Sequence, residues 1–137
     1  MRVTINRQEL FGYLKSMIRI VPQSHKVMEL MGFLMECNED DGFVYITASN
    51  LETTIQRKFK ANIEEGGSFV VAARMFFGIT ERMSGENILL EYNEKLLGIT
   101  SGQCRYDIPV LHSRNYPKPN IPFPDDLMKI SGICGLY

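Results

Sequence analysis

The chain carries one short sequence pattern twice, and this internal repeat restricts the folds open to it more than any other feature. LMECNEDDGFVYITAS, residues 34–49, aligns with LLEYNEKLLGITSG, residues 89–102, apart from a shorter turn in the second copy. Upstream, VTINRQELFGYL from Val3 aligns with FVVAARMFFGIT from Phe69, so that Phe11-Gly12 matches Phe77-Gly78. A repeat of this length indicates two copies of one folding unit.

Length and composition indicate one soluble globular domain. The chain has 137 residues, of which 45% are hydrophobic and 23% charged, enough for one core but not two. No apolar run approaches the roughly 20 residues of a membrane span, and MRVTINRQEL lacks the apolar stretch of a signal peptide. We therefore predict a cytoplasmic protein without a membrane partner.

The first unit is predicted to contain a strand, a helix and three further strands. Val3 and Ile5 alternate as a strand, and Asn6 is placed to cap the following helix together with Glu9. The apolar face of this helix is expected to end before Pro22, and its members are Leu10, Leu14, Met17, Ile18 and Val21.

A hairpin and one long strand complete the first unit. Asp40-Asp41-Gly42 is a turn signal between the two hairpin strands. LETTIQRKFKANI, residues 51–63, then alternates as a single long strand with one solvent-facing side.

The second unit repeats this order after a turn at Gly66-Gly67. Its helix is expected to bury Phe76, Ile79, Thr80 and Met83, and to stop where Gly85 supplies a left-handed cap. Three alternating strands are predicted around Leu90, Ile99 and Tyr106. The fold class is α+β, with two βαβββ repeats related by pseudo-twofold symmetry and two helices packed on a mostly antiparallel sheet layer.

The helix faces that remain after burial carry the informative polar residues. One stripe contains Gln8, Gly12, Lys15 and Arg19, and the other contains Arg74, Gly78, Glu81 and Arg82. A glycine in the middle of a helix costs about 1 kcal/mol relative to alanine. Its recurrence at matched positions indicates a surface kept low for something to pass, although ordinary solvated helix faces carry similar charges.

Catalytic and metal-binding patterns are absent from the sequence. His25 and His112 lie in predicted loops without a Ser or Cys at a motif spacing, and no GxxxxGK[ST] or GxGxxG occurs. Cys37, Cys104 and Cys134 show neither CxxC nor CxH spacing, so we expect reduced, half-buried thiols without disulfide or zinc. The prediction is a non-enzymatic protein with no cofactor and no metal.

Several motifs together resemble the N-terminal domain of the bacterial sliding clamp, the beta subunit of DNA polymerase III. They are SNLE at 49–52, VVAARMFFGI at 70–79, ITSGQCRYDIPVL at 99–111 and NYP at 115–117. The resemblance runs from Met1 to about Asn120 and continues weakly through FPDDLMKISGICGLY. It implies a domain of a ring built from repeated βαβββ units, with helices lining the hole around duplex DNA.

The family resemblance also implies which residues face DNA and which meet the other subunit. In this interpretation the protein is a replication processivity factor that tethers the replicative polymerase and has no catalytic site of its own. The residues expected to face DNA are Lys15, Arg19, His25, Lys26, Arg74 and Arg82. The residues expected at the junction with the other clamp subunit are Arg74, Gln103, Arg105, Tyr106 and Ile108.

Two departures from the family pattern are expected to weaken DNA contact through this domain. The loop after the first helix reads PQSHKVMEL, in which His25 and Lys26 replace the usual arginine and Met28-Glu29 replaces Pro-Ile. Glu81 also lies on the helix face that should be basic. The net charge of −1 fits retention of DNA by enclosure better than tight phosphate binding.

The C-terminal residues are predicted to belong to a different part of the molecule. The clamp domain is assigned to residues 1–116, a proline-rich linker to 117–124, and the start of the next clamp domain to 125–137. We therefore expect a fragment or truncated product, lacking the domains through which DNA polymerase III and the clamp loader would bind. The alternative is a stand-alone interaction module that self-associates through its edge strands.

Overall fold

A computed structural model describes residues 1–24, 26–93 and 95–117, which form two α-helices and nine β-strands. The helices are α1 (Arg7–Met17) and α2 (Ala73–Arg82). The strands are β1 (Arg2–Asn6), β2 (Gly32–Asn38), β3 (Phe43–Ser49), β4 (Thr54–Lys60), β5 (Asn62–Glu65), β6 (Gly67–Ala72), β7 (Asn87–Tyr92), β8 (Leu96–Ser101) and β9 (Cys104–Pro109). The predicted α+β class is confirmed.

The strands are divided between two antiparallel sheets, and each repeat unit contributes its first strand to the sheet of the other. One sheet has the order β5-β1-β7-β8-β9, so β1 lies beside the hairpin strands of the second unit. The other has the order β4-β3-β2-β6, so β6 lies beside the first unit. The repeat therefore describes two interlocked units rather than two separate ones.

The two copies have equivalent strand registers, consistent with their aligned sequences. Leu34 pairs with Thr47 across β2 and β3, and the aligned Leu89 pairs with Thr100 across β7 and β8. The matched helices also begin at equivalent positions, Arg7 and Ala73.

The start of α1 is capped as predicted, because the Asn6 side chain accepts a hydrogen bond from the Glu9 amide at 3.0 Å.

Both helices end earlier than their apolar periodicity predicts. α1 ends at Met17 and continues as a 3₁₀ turn over Ile18–Ile20, so Val21 is buried from an extended segment instead of from the helix.

The left-handed glycine cap predicted after α2 is wrong. Met83 is already extended, and Gly85 is not among the glycines with positive φ in the described chain. Gly85 is needed for a different reason: a Cβ there would collide with the Ser101 hydroxyl.

The single long strand predicted over residues 51–63 is also wrong. Residues 50–53 form a turn in which the Asn50 side chain accepts hydrogen bonds from the amides of Glu52 and Thr53. The strand proper is interrupted at Ala61, whose amide bonds to the Gly42 carbonyl at 3.1 Å. β4 consequently joins the four-stranded sheet and β5 the five-stranded one.

One hydrophobic core holds the helices and both sheets together. Leu10 and Leu14 from α1 and Phe76 and Ile79 from α2 are buried with side chains of both sheets. Phe76, Ile79 and Thr80 of α2 are buried as predicted, and so is Met83 just after the helix. The Thr80 hydroxyl donates to the Phe77 carbonyl at 2.8 Å. Such packing is the main source of stability for a chain of this size.

The prediction that the cysteines are half-buried is wrong for both described thiols. Cys37 is buried, whereas Cys104 is exposed at the β8–β9 turn and not half-buried as expected. No helix in the described ranges has the length and apolar character needed to cross a membrane. Cys134, most of the predicted linker and the predicted C-terminal helix lie outside the described residues.

Candidate functional site

Two arginines tie the ends of the helices together in a reciprocal arrangement. Arg7, at the start of α1, donates to the Gly85 carbonyl after α2 at 2.8 Å. Arg74, at the start of α2, donates to the Val21 carbonyl after α1 at 3.1 Å. The start of each helix thus lies near the end of the other, and the two helices run in opposite directions.

The cations predicted from the helix stripes are exposed on this helix pair. Lys15, Arg19, Arg74 and Arg82 all have exposed side chains, as does Lys26 in the following loop. Lys15, Arg19 and Arg74 lie towards one end of the pair and Arg82 towards the other. His25, the remaining predicted DNA-facing residue, lies outside the described residues.

None of these five cations forms an ion pair with a carboxylate in the described part of the chain. Arg74 uses one of its five N–H groups on a carbonyl and keeps the others available. Glu81 is exposed on the same helix surface, as its position in the stripe predicts. We call Lys15, Arg19, Lys26, Arg74 and Arg82 the helix cations.

The matched glycines leave open space on the helix pair. A Cβ added to Gly12 or Gly78 would meet no atom within 4 Å outside its own helix. Beside them Phe11 and Phe77 stack with ring centroids 5.1 Å apart and planes 10° from parallel. The surface over the helix pair is therefore low at both glycines, as the sequence predicts.

The five-stranded sheet, by contrast, neutralises its own charges. Arg2 pairs with Glu64 at 2.9 Å and with Glu91 at 3.0 Å. Arg105 pairs with Glu91 at 3.6 Å and with Asp107 at 3.1 Å, and its hydrogen bond to Asp107 raises the pKa of the Arg105 guanidinium. These contacts form a continuous chain of alternating charge across the strands, which we call the sheet ion chain.

Sequence reasoning missed the sheet ion chain, apart from Arg105. Apart from Arg105 and Asp107, which lie two positions apart on β9, its members come from strands that are far apart in sequence, so no spacing links them. Gly98 leaves space for the Arg105 side chain, since a Cβ at this position would lie 2.7 Å from Nη2 of Arg105. A glycine inside the apolar run of β8 is the one local signal that another group approaches closely.

Four of the five residues predicted at a subunit junction lie on or beside an edge strand. β9 ends the five-stranded sheet and carries Arg105, Tyr106 and Ile108, while Gln103 lies in the turn before it. Arg105 is exposed, Tyr106 is half-buried and Ile108 is buried towards the core. Arg74 lies on α2, where its described hydrogen bond joins Val21.

An open depression of about 620 Å³ lies over the five-stranded sheet, and its floor contains Gly98 and members of the sheet ion chain. The described residues contain no grouping of three or more His, Cys, Asp or Glu side chains suited to a metal ion.

Comparison with known proteins identifies a family. Residues 1–122 match the family model described as DNA polymerase III beta subunit, N-terminal domain. The beta sliding clamp of Chlamydia muridarum is 29% identical over 119 residues, which cover 85% of this chain and 32% of the relative. The beta sliding clamp of Staphylococcus aureus is 26% identical over 140 residues, covering 96% and 37%.

Solved structures agree on the fold. A sliding clamp from Bartonella birtlesii superposes with a TM-score of 0.82 at 26% identity, covering 90% of this chain and 33% of that chain. The beta subunit from Streptococcus pyogenes also gives a TM-score of 0.82, at 19% identity. The chain spans about a third of the length of these relatives.

Proposed function

Because the chain belongs to the family of the DNA polymerase III beta subunit, N-terminal domain, we propose that it serves as one domain of a ring-shaped sliding clamp. The ring encloses duplex DNA and acts as a processivity factor for the replicative polymerase. The domain contributes part of the inner wall and one subunit junction, and it carries out no chemical step.

The observation that carries this proposal is the separation of the two kinds of cation. The helix cations have no carboxylate partner among the described residues, whereas Arg2 and Arg105 on the sheet are each held by two. Unpaired cations attract the phosphates of any nucleic acid irrespective of base sequence. Lys58 and Lys60 on β4 also have no ion pair among the described residues, so the missing carboxylate does not by itself select the helix pair. The open surface at Gly12 and Gly78 beside the helix cations is the second reason to assign the duplex to the helix pair.

Weak attraction suits a clamp that must slide. The chain has 15 Lys and Arg against 16 Asp and Glu, so its overall field does not favour tight binding to DNA. Enclosure retains the duplex, and contacts to phosphate made directly or through water need only be weak and interchangeable. The open space above Gly12 and Gly78 admits the duplex without a side chain obstructing it.

The edge position of β9 in the five-stranded sheet supports a role for this strand in assembly with another subunit. We propose that Gln103, Arg105, Tyr106 and Ile108, with Arg74 at the rim, meet the other clamp subunit. DNA polymerase III and the clamp loader would bind through the other domains of the full-length clamp. The expected location is the cytoplasm, where replication takes place.

Charge reversal on the helix pair tests the inner-wall assignment. Lys15→Glu with Arg19→Glu should weaken the binding of this chain to duplex DNA at about 50 mM salt by at least about tenfold. It should also reduce the slope of log K against log salt by about 2, since each phosphate contact contributes roughly 0.9. Fluorescence anisotropy with a labelled duplex measures both quantities.

A matched pair on the sheet surface provides the control. Lys58 and Lys60 are exposed on β4, where their amines lie 4.9 and 5.6 Å from the centre of the Phe43 ring. Lys58→Glu with Lys60→Glu makes the same change in net charge and should alter DNA binding by less than about twofold. Equal weakening by both pairs would show that only the total charge matters and would refute the assignment of the helix surface.

A further inference from the structure

The β2–β3 turn contains the one Asp-Gly pair in the sequence, Asp41-Gly42. When glycine follows aspartate, its amide nitrogen can attack the aspartate carboxyl group, because glycine has no Cβ to obstruct the approach. Asn-Gly, which reacts in the same way, does not occur in the chain. The sequence therefore indicates this turn as the position most open to a spontaneous change of the backbone.

The folded turn leaves space around both reacting residues. The Asp41 side chain is exposed, and a Cβ added to Gly42 would meet no atom within 4 Å outside its chain neighbours. Gly42 has a φ of +74°, which glycine adopts without strain. Because packing does not prevent the reaction, any restraint on it must come from hydrogen bonds.

Two hydrogen bonds hold the Asp41 carboxylate. Its Oδ1 accepts from the Phe43 amide and its Oδ2 accepts from the Tyr45 hydroxyl, each at 2.8 Å. The bond from the Phe43 amide and then the bond from the Tyr45 hydroxyl lower the pKa of Asp41. The group therefore stays ionised. An ionised carboxylate reacts poorly with a nucleophile, because it cannot release an oxygen as water without first gaining a proton.

The attacking group is restrained as well. The Gly42 amide donates to the Asn38 carbonyl at 2.9 Å. The nitrogen must lose its proton to solvent before it can attack, and this hydrogen bond shields the proton. Both reacting groups are thus held in hydrogen bonds that a local opening of the turn must first release.

We propose that Asp41-Gly42 is a site of spontaneous backbone isomerisation, and that the Tyr45 hydroxyl slows this reaction in the folded chain. The Gly42 nitrogen bonds to Cγ of Asp41, and the hydroxyl of the protonated carboxyl group leaves with the amide proton as water. Water then adds to the main-chain carbonyl carbon of Asp41 and breaks its bond to the Gly42 nitrogen. The product is isoaspartate, which has the same mass, and the reaction needs no oxidant or other reactant.

Isomerisation would lengthen the backbone where the fold uses its exact position. The chain would pass through Cβ and Cγ of residue 41, which inserts a methylene group into the main chain before Gly42. The Gly42 carbonyl accepts from the Ala61 amide at 3.1 Å, between β4 and β5. The modified chain should therefore lose this contact and unfold at a lower urea concentration than the parent.

Removal of one hydroxyl tests the restraint. Tyr45→Phe keeps the ring but deletes the donor to Asp41, so the pKa of Asp41 rises towards its ordinary value. During storage at mildly acidic pH the variant should form isoaspartate at residue 41 at least about threefold faster than the parent, because more of the carboxyl group is protonated. Proteolytic digestion with electron-transfer fragmentation locates the isoaspartate, and protein isoaspartyl methyltransferase measures its amount.

Two further variants serve as controls. Tyr13→Phe deletes a hydroxyl from a ring that stacks on Phe59, and it should leave the rate at residue 41 unchanged. Asp41→Glu should abolish the signal, because the longer side chain closes the corresponding ring far less readily. A synthetic peptide of residues 38–45, which lacks the fold, should isomerise faster than the folded parent.

Several results would overturn the proposal. They are equal rates in the parent and Tyr45→Phe, a peptide no faster than the folded chain, and isoaspartate formed mainly at another residue. Urea titrations of Tyr45→Phe and Tyr13→Phe separate a local effect from general loss of stability. If the rate at residue 41 followed stability equally in both variants, the restraint by Tyr45 would be refuted. None of these results depends on whether the chain binds DNA.

Discussion

At the residue scale, a single side-chain oxygen caps the start of α1. Asn6 ends β1 and starts α1, and its side-chain oxygen satisfies the Glu9 amide, which has no partner inside the helix. The second unit has Ala72 at the equivalent position, with no side-chain cap. The two helices of the repeat are therefore started by different means, although they begin at matched positions.

Replacing the cap should cost stability without changing the surface of the helix pair. Asn6→Ala is expected to lower the free energy of unfolding by about 1 kcal/mol, because the Glu9 amide loses its acceptor. Asn6→Ser, which restores an oxygen acceptor, should recover most of the loss. Urea denaturation followed by circular dichroism measures the difference, and equal losses in both variants would contradict the capping role.

Burial also changes the chemistry of a single thiol. Desolvation raises the pKa of Cys37 to about 12 from an ordinary value of 9.0. The unfolded chain therefore loses this proton near pH 9 while the folded chain keeps it, so the stabilisation is present below pH 9 and is lost as the pH rises towards 12. The loss should approach about 1.4 kcal/mol per pH unit within that window.

Comparison with Cys37→Ala isolates this contribution. Between pH 9 and about 10.5 the parent should lose stability more steeply than the variant in urea titrations, because other groups titrate equally in both. A thiol reagent at pH 8 should label exposed Cys104 in the folded protein and reach Cys37 only after unfolding. Parallel pH profiles for parent and variant would refute the assignment to Cys37.

At the scale of elements, the sequence predicts what depends on periodicity. The aligned copies predict both hairpins. Phe76, Ile79 and Thr80 of α2 are buried as predicted, together with Met83 just after the helix. The interruption at Ala61 was not predictable in this way, because alternation continues through it from Phe59 to Ile63. The break depends on which sheet each half joins, and that is decided by strands distant in sequence.

The same distinction applies to the candidate site. Features that depend on helical spacing were predictable, and contacts that depend on how the strands assemble were not. Exposure of Lys15, Arg19 and Arg82 follows from helical spacing, and the structure confirms it. The contacts of Arg2 with Glu64 and Glu91, and of Arg105 with Glu91, join strands that are distant in sequence, so no local pattern indicates them. A charge count alone would have treated all of these cations as equivalent.

The matched glycines allow the helix surface to be tested as an element. Gly12→Ala and Gly78→Ala should each raise the free energy of unfolding by about 0.5–1 kcal/mol, since the added Cβ meets no atom and the unfolded chain loses freedom. If the open surface admits the duplex, Gly12→Leu should weaken DNA binding although the helix is no less stable. Anisotropy and urea titrations on the same samples separate the two effects. Tighter DNA binding by Gly12→Leu would contradict the low-surface interpretation.

At the scale of the molecule, the exchange of first strands makes the two repeat units depend on each other. β1 lies between β5 and β7, and β6 pairs with β2, so removal of either unit leaves the other without a strand of its sheet. The core is also shared, because side chains from both helices and both sheets are buried in one cluster. A single cooperative unfolding transition follows from this arrangement.

Separate expression of the two units tests this dependence. Residues 1–66 and 67–137 should each lack cooperative thermal unfolding when alone, because each exposes half of the common core and one unpaired sheet edge. Mixed in equal amounts, they should regain the circular dichroism spectrum of the intact chain and a single transition, with a midpoint that rises with concentration because association is now bimolecular. A fragment that unfolds cooperatively by itself would show that the repeat units are independent, and the strand exchange would then contribute to arrangement but not to stability.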